Sequence, residues 1–299
     1  MAFNVAALTG WVNENSQELL TQSILGSQTA DLITVIPGIK YKQTLKYLDT
    51  NAIIQAGGCG YNATGDTTLT DKEVSVVSLK VQEDLCPDDL EATSLQLSMK
   101  AGKNQNIPFE RQWADRKVLQ TQTALETMVW SATAASSVKC DGFKYLMDND
   151  SDVHDYTFAP CATGKTSSDW INGVYGMYNH LSAEAKAKTD LTLFVSYETF
   201  SLMVQALVIG NLYHIDMSGN SGIAPFIFPG TSIKVVPIKA IGCFMVLSPA
   251  SNLVWATDLL SESDGLEVWY SQDKRIVSSS IDFKIGTSYY WGNEIVLAQ

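Results

Sequence analysis

The sequence predicts an α+β fold. Three observations carry that prediction: a stretch from Phe109 to Asp141 that holds no Gly or Pro and has helical apolar spacing, a strand-rich end over roughly the last forty residues, and no repeated βα unit or internal repeat. A length of 299 residues accommodates one elaborated domain or two subdomains. Apolar residues make up 45% against 17% charged, which excludes the composition of a disordered chain. Lys and Arg number 20 against 32 Asp and Glu, a net charge of -12, so a basic nucleic-acid coat is excluded. The longest apolar run, Ala240 to Leu247, falls short of the roughly 20 residues of a membrane span. The first residues lack a basic leader, and synthesis in cytoplasm is expected.

The elements follow in chain order. Ser16 to Ile24, with Leu19, Leu20 and Ile24 apolar, is a short amphipathic helix candidate, and Thr29 to Ile39 closes on a Pro37-Gly38 turn. Gly57 to Asp71 is rich in Gly, Thr and Asn. Val74 to Val81 and Thr93 to Met99 then read as the strands of a long two-stranded excursion, with Leu95, Leu97 and Met99 alternating against polar residues. Between them Glu83, Asp84, Asp88, Asp89 and Glu91 surround Cys86-Pro87 without a basic residue. Pro108 opens the strongest element, a helix over roughly Glu110 to Ala135 with Ala114, Val118, Thr121, Leu125, Val129 and Ala132 on one face. At 1.5 Å per residue it is about 39 Å long.

Asp169 to Lys188 repeats the helical pattern through Trp170, Val174, Met177 and Leu181. Leu191 to Val195 is an apolar strand, Ser196 an N-cap, and Tyr197 to Ile209 a helix that stops at Gly210-Asn211. Strands resume at Ser232 to Val236 and Gly242 to Leu247, and Ile281, Phe283 and Ile285 alternate near the end.

Few motifs carry chemistry. Ala159 to Thr166, with Gly164, Lys165 and Thr166, resembles a phosphate-binding loop, but Ala159 replaces its opening Gly, and a plain turn is the expectation. Asp148 to Asp152 begins like a calcium loop, yet Val153 takes the place of the turn Gly and Ala159 that of the closing acid. His154, Cys161 and Cys140 have no metal-site spacing, and Cys59, Cys86, Cys140, Cys161 and Cys243 are expected to be free thiols. No G-x-S-x-G elbow or Cys–His pattern appears, so no enzyme, cofactor or metal is predicted.

The order of parts, together with Leu85-Cys-Pro-Asp-Asp-Leu-Glu91, Ile107-Pro-Phe-Glu-Arg-Gln-Trp113, Asp190-Leu-Thr-Leu-Phe-Val-Ser196, Asn211-Leu-Tyr-His214 and Asn252-Leu-Val-Trp-Ala-Thr-Asp258, resembles tailed-bacteriophage major capsid proteins of the Hong Kong 97-like fold. The likeness is greatest to capsid proteins of phages infecting Bacteroidetes-type hosts. The resemblance implies an N-terminal arm over 1–50, an extended loop over 51–105, a peripheral domain with the spine helix over 106–161, an axial domain over 162–247 and a return to the peripheral domain over 248–299. It further implies a virion shell subunit, assembled in the bacterial host cytoplasm as hexamers and pentamers. Its partners would be a portal and, because the arm leaves no room for a scaffolding segment, a separate scaffolding protein. The shell would enclose double-stranded DNA without sequence-specific binding and without a membrane. Covalent crosslinking is not predicted, since nothing pairs Lys72, Lys80, Lys100 or Lys103 with an Asn. Glu83, Asp84, Asp88, Asp89 and Glu91 are the expected intersubunit acids, facing Arg111, Arg116 and Lys117 at the head of the spine. An encapsulin-type compartment shell and an unrelated α+β enzyme are the alternatives.

Overall fold

Two sheets share one helix between them. The computed structural model describes residues 27–50, 67–85, 109–133, 140–210, 226–258 apart from 229, and 267–299 apart from 275, with single positions between 54 and 60. Its strands are β1 (Thr34–Pro37), β2 (Lys42–Thr50), β3 (Thr67–Ser75), β4 (Val77–Leu85), β5 (His154–Tyr156), β6 (Leu191–Ser196), β7 (Phe226–Ile227), β8 (Lys234–Ile238), β9 (Met245–Pro249), β10 (Leu253–Thr257), β11 (Glu267–Ser271), β12 (Ile276–Tyr289) and β13 (Val296–Ala298). Its helices are α1 (Phe109–Ser131), α2 (Phe143–Asp148), α3 (Ser167–His180), α4 (Ala183–Ala187) and α5 (Tyr197–Ile209).

The first sheet is organised by β12. One edge of this 14-residue strand pairs antiparallel with β4 from Val277↔Leu85 to Ile285↔Val77. The other edge takes β11 along Ile276 to Ser280 and then β10 along Ile285 to Tyr289, with β1 parallel beyond β10. The alternating Ile281, Phe283 and Ile285 of the sequence are the residues this strand buries against α1. Gly286 sits where the chain turns from β3 into β4. A Cβ there would lie 2.1 Å from the Ser75 carbonyl oxygen, so only glycine permits the crossing.

The second sheet runs β5-β13-β9-β6-β8-β7. All of β6 is buried because both faces are covered. Leu191, Leu193 and Val195 pack beneath α3 and α5, while Phe194 faces α1. Ser196 caps α5, its hydroxyl accepting from the Thr199 amide at 3.1 Å, and Gly210 ends that helix, as the sequence predicts. The predicted helix from Asp169 breaks in two at Leu181, where Ser182 caps α4. The described span of α1 ends at Ser131, four residues inside the predicted Ala135. Its Trp130 is fully buried, with ring centroids 5.2 Å from both Phe143 and Phe194.

Two sequence expectations are corrected. The stretch Val74 to Val81 spans the end of β3 and the start of β4, and the partner of β3 is β2, in the stretch assigned to the arm. The missed signal is weak because, among the described side chains of β2, only Leu45 is buried, while Leu48 is exposed and Tyr47 half-buried. Thr93 to Met99 and the Ser16 to Ile24 candidate lie outside the described residues. The second correction concerns the thiols: Cys161 and Cys243 form a disulfide across a sequence separation of 82. Tyr156 at the end of β5 and Met245 at the start of β9 both oppose Ala298, so the loops carrying the two cysteines leave the same edge of the sheet. Cys59 is exposed and free, Cys140 buried and free.

By the chain-entropy relation a loop of this length stabilises the fold by about 4.5 kcal/mol. Reduction is therefore expected to lower the denaturation midpoint clearly. The double variant Cys161→Ser with Cys243→Ser should show the lowered midpoint with and without reductant. A reductant-insensitive wild-type midpoint would count against the bond.

Candidate assembly surface

The ribbon of β2 and β3 leaves the first sheet with no core of its own. At its root Leu45, Val74 and Val76 bury themselves against Val254 and Ala256 of β10. Further out, Leu48 stands opposite Leu69, 62% and 56% exposed, and Ile54 beyond them is almost fully exposed. Apolar side chains paired across a two-stranded ribbon and left in water mark a surface that another body covers.

A charged anchor fixes the root. The Lys72 ammonium lies 2.7 Å from Asp150 Oδ2 and 3.5 Å from the centre of the Tyr289 ring. Tyr289 donates its hydroxyl to the same carboxylate at 2.6 Å, and the Asp152 amide donates to Oδ1 at 3.1 Å. Burial pushes the Asp150 carboxyl upward. The hydrogen bonds from Lys72, Tyr289 and the Asp152 amide, with the Lys72 charge, outweigh it and hold the group below its ordinary range. Burial and the neighbouring carboxylate raise the Tyr289 phenol, keeping it a donor. The cleft beside this anchor, about 420 Å³, is also lined by Cys140, whose thiol burial pushes up to about 11. A protonated thiol and a paired carboxylate are poor reactive groups.

The predicted acids and bases are partly brought together. Glu83 and Asp84 lie on β4 opposite Ser279 and Ser278, and the Ser278 hydroxyl donates to Asp84 Oδ1 at 2.7 Å. The Glu83 carboxylate forms an ion pair with Lys117 on α1, so these two residues meet within one chain. The reason is topological, since pairing with β12 carries the end of β4 past the head of α1. Arg116 is exposed on that helix. Asp88, Asp89 and Glu91, and the side chain of Arg111, lie outside the described residues.

Sequence reasoning missed three residues here: Asp150 as an anchor, Glu126 and Thr29. Glu126 is buried on α1 and accepts from the Thr29 amide at 3.1 Å, while Trp130 Nε1 donates to the Thr29 hydroxyl at 2.9 Å. Only the acidic residue within the apolar face of α1 could have signalled this joint.

The remaining motifs are structural turns. Ala159 and Gly164 have positive φ, Lys165 stacks 4.1 Å from the Phe158 ring centre, and Thr166 caps α3 reciprocally with Asp169. In the acidic run, Asp148 is held by Lys144 at 2.6 Å and Asp150 by Lys72. Cys161 of the dispersed His154, Cys161, Cys140 set is committed to the disulfide. Among the described residues no group of three His, Cys, Asp or Glu side chains converges as a metal site would require, and no helix is long and apolar enough to cross a membrane.

No family model matches the chain, and no curated protein matches its sequence. Its fold does match solved structures. The satellite phage P4 procapsid including size determination (Sid) protein aligns at TM-score 0.59 and 10% identity, covering 95% of this chain and 98% of the other. The capsid of Myoviridae phage XM1 aligns at 0.55 and 12%, covering 89% and 88%. The virus-like particle from Pyrococcus furiosus aligns at 0.55 and 8%, covering 96% and 98%. The chain thus has the Hong Kong 97-like capsid fold that its sequence resembles.

The Asp150 anchor has a definite pH sign. A carboxyl held below its unfolded value contributes stability above that value, near ~4, and loses it as pH falls through the folded value. Asp150→Asn should destabilise at neutral pH by about 2 kcal/mol, the scale of a charged hydrogen bond, and flatten the acid limb of stability against pH. Hydrogen exchange should quicken in β2 and β3 of the variant, and an unchanged acid limb would remove the anchor from the account.

Proposed function

We propose that the chain is a structural subunit that self-assembles into an icosahedral shell enclosing phage double-stranded DNA. The observation that carries this reading is the capsid fold matched over nearly the whole chain, together with a ribbon whose distal apolar pair has nothing to cover it within the described chain. A neighbouring subunit supplies that cover. The part boundaries 1–50, 51–105, 106–161, 162–247 and 248–299 belong to this reading. The partners are further copies in hexamers and pentamers, a portal and a separate scaffolding protein, and assembly takes place in host cytoplasm.

Charge supports a container. A subunit of net charge -12 repels packaged duplex, leaving it free to depart, where a basic lining would hold phosphates through counterion release. The role is mechanical and non-enzymatic. A compartment shell that packages protein is the second reading, favoured by the likeness to the Pyrococcus virus-like particle. Dense DNA inside purified particles, against a protein cargo, separates the two.

Electron microscopy of the purified protein is expected to show closed particles built from pentamers and hexamers. Leu48→Asp with Leu69→Lys, an opposite-charge pair across the ribbon, should leave the melting curve within about 0.5 kcal/mol of wild type, as exposed sites do, yet abolish particles. A monodisperse wild-type monomer at high concentration and physiological salt would overturn the reading.

The acidic run bears on contacts between subunits. With Lys117 engaged by Glu83, the intersubunit partners are Asp88, Asp89 and Glu91 facing Arg111 and Arg116. Each exposed pair is worth only about 0–1 kcal/mol, but a shell repeats it many times. Arg111→Glu with Arg116→Glu should fold normally and assemble slowly, and adding Asp88→Lys with Asp89→Lys should restore part of the rate. Normal assembly of the first variant at low and high salt, or no rescue, would assign the run to solvent.

A further inference from the structure

Three strands of the first sheet bring Trp269, Ser278 and Asp84 abreast. Trp269 of β11 pairs with Ser278 of β12, and Ser278 pairs on its other side with Asp84 of β4. Residues directly opposite one another in a sheet point to the same side of it. The adjoining row, Val268, Ser279 and Glu83, points towards α1, where Val268 joins the core and Glu83 meets Lys117. The Trp269 row therefore stands on the face turned away from that helix. Neighbouring strands lie about 4.8 Å apart, so the indole and the carboxylate rise from backbone positions about 10 Å apart across a small, buried serine. This row bounds a trough of about 360 Å³, completed by Gln82 two residues along β4 and by Ser271 and Lys274 at the β11 to β12 turn.

The trough holds polar groups with capacity to spare. The Ser278 hydroxyl donates to Asp84 Oδ1 at 2.7 Å, which orients the carboxylate and leaves Oδ2 as an acceptor. Among the described residues, no hydrogen bond or ion pair engages the side chains of Gln82, Ser271 or Lys274. Beside them the Trp269 side chain, the largest apolar surface in the trough, is left 45% exposed.

We propose that this trough binds a neutral saccharide. A pyranose ring carries C–H bonds on its face and hydroxyls around its rim, each hydroxyl both donor and acceptor. The exposed indole takes the face, while Asp84, Gln82, Ser271 and Lys274 take the rim. An apolar side chain in the same place would cover the carboxylate and the amide without pairing them. A nucleobase would stack on the indole as well, but the phosphates attached to it meet Asp84, Glu83 and a chain of net charge -12. A sugar without charge satisfies every group present and opposes none. The site lies within one chain and stands whether or not the chain builds shells.

Saturation-transfer NMR on the full chain tests this with cellotetraose, mannotetraose and xylotetraose in turn. At least one is expected to receive saturation on its ring C–H protons. Trp269→Ala should raise its Kd about tenfold, equivalent to about 1.4 kcal/mol, and Trp269→Phe should retain most of the affinity. Gln82→Ala, at an exposed position, should weaken binding too, which keeps the test decisive if Trp269→Ala folds poorly. No transfer to any of the three sugars, or equal affinity in the wild type and the folded alanine variants, overturns the proposal. Oligothymidylate binding more tightly than the sugars, and through Trp269, overturns it in favour of a nucleic acid. Loss of self-association in Trp269→Ala without any sugar binding overturns it in favour of a contact between copies.

Discussion

Trp130 is the joint on which the rest of the molecule turns. Its indole lies between Phe143 on one side and Phe194 on the other, so one side chain ties α1 to α2 and to the second sheet. Its ring nitrogen, which burial would otherwise leave unpaired at a cost of about 1–3 kcal/mol, donates to Thr29 and thereby fastens the first described residues to the same point. The remaining length of α1 can then serve the first sheet through Val118, Leu125 and Val129. A helix with apolar residues on more than one side is unusual at a surface and natural between two layers. That placement explains why one continuous core joins β12 to one face of β6, while the opposite face of β6 has a separate core under α3 and α5.

The outlying parts depend on this body without adding to it. Among its described side chains the ribbon of β2 and β3 buries two apolar ones, Leu45 and Val74, both near its root, and it relies on Lys72 and Asp150 to hold its direction. Hydrogen bonds fix its register, but two strands with so little core of their own are at best marginally stable in water unless another surface covers them.

How far the sequence discloses this arrangement follows from the range of the forces involved. The long helix, the β6 to α5 unit with its Ser196 cap, and the alternation within β12 are legible because each is written in spacings of a few residues. The pairing of β2 with β3 is hidden, because a ribbon bathed on both faces has no apolar alternation to display. The Cys161–Cys243 bond joins residues whose loops meet only once β13 has entered between β5 and β9. Of the predicted site, the Glu83–Lys117 pair was legible as two oppositely charged runs, but the sharing of that pair within one chain required the course of β4 along β12. The Asp150 anchor was concealed inside a motif that looked like the start of an ion-binding loop.

Gly286 sets the direction in which the ribbon departs, because the Ser75 carbonyl passes directly over the place where a side chain would begin. Nine residues of extended strand reach about 30 Å, so the ribbon is a lever pivoted on that crossing. A tilt of about 10° at the pivot carries the tip about 5 Å sideways, the distance between neighbouring strands. The absence of one methyl group at residue 286 is thus magnified along the arm into the aim of its far end.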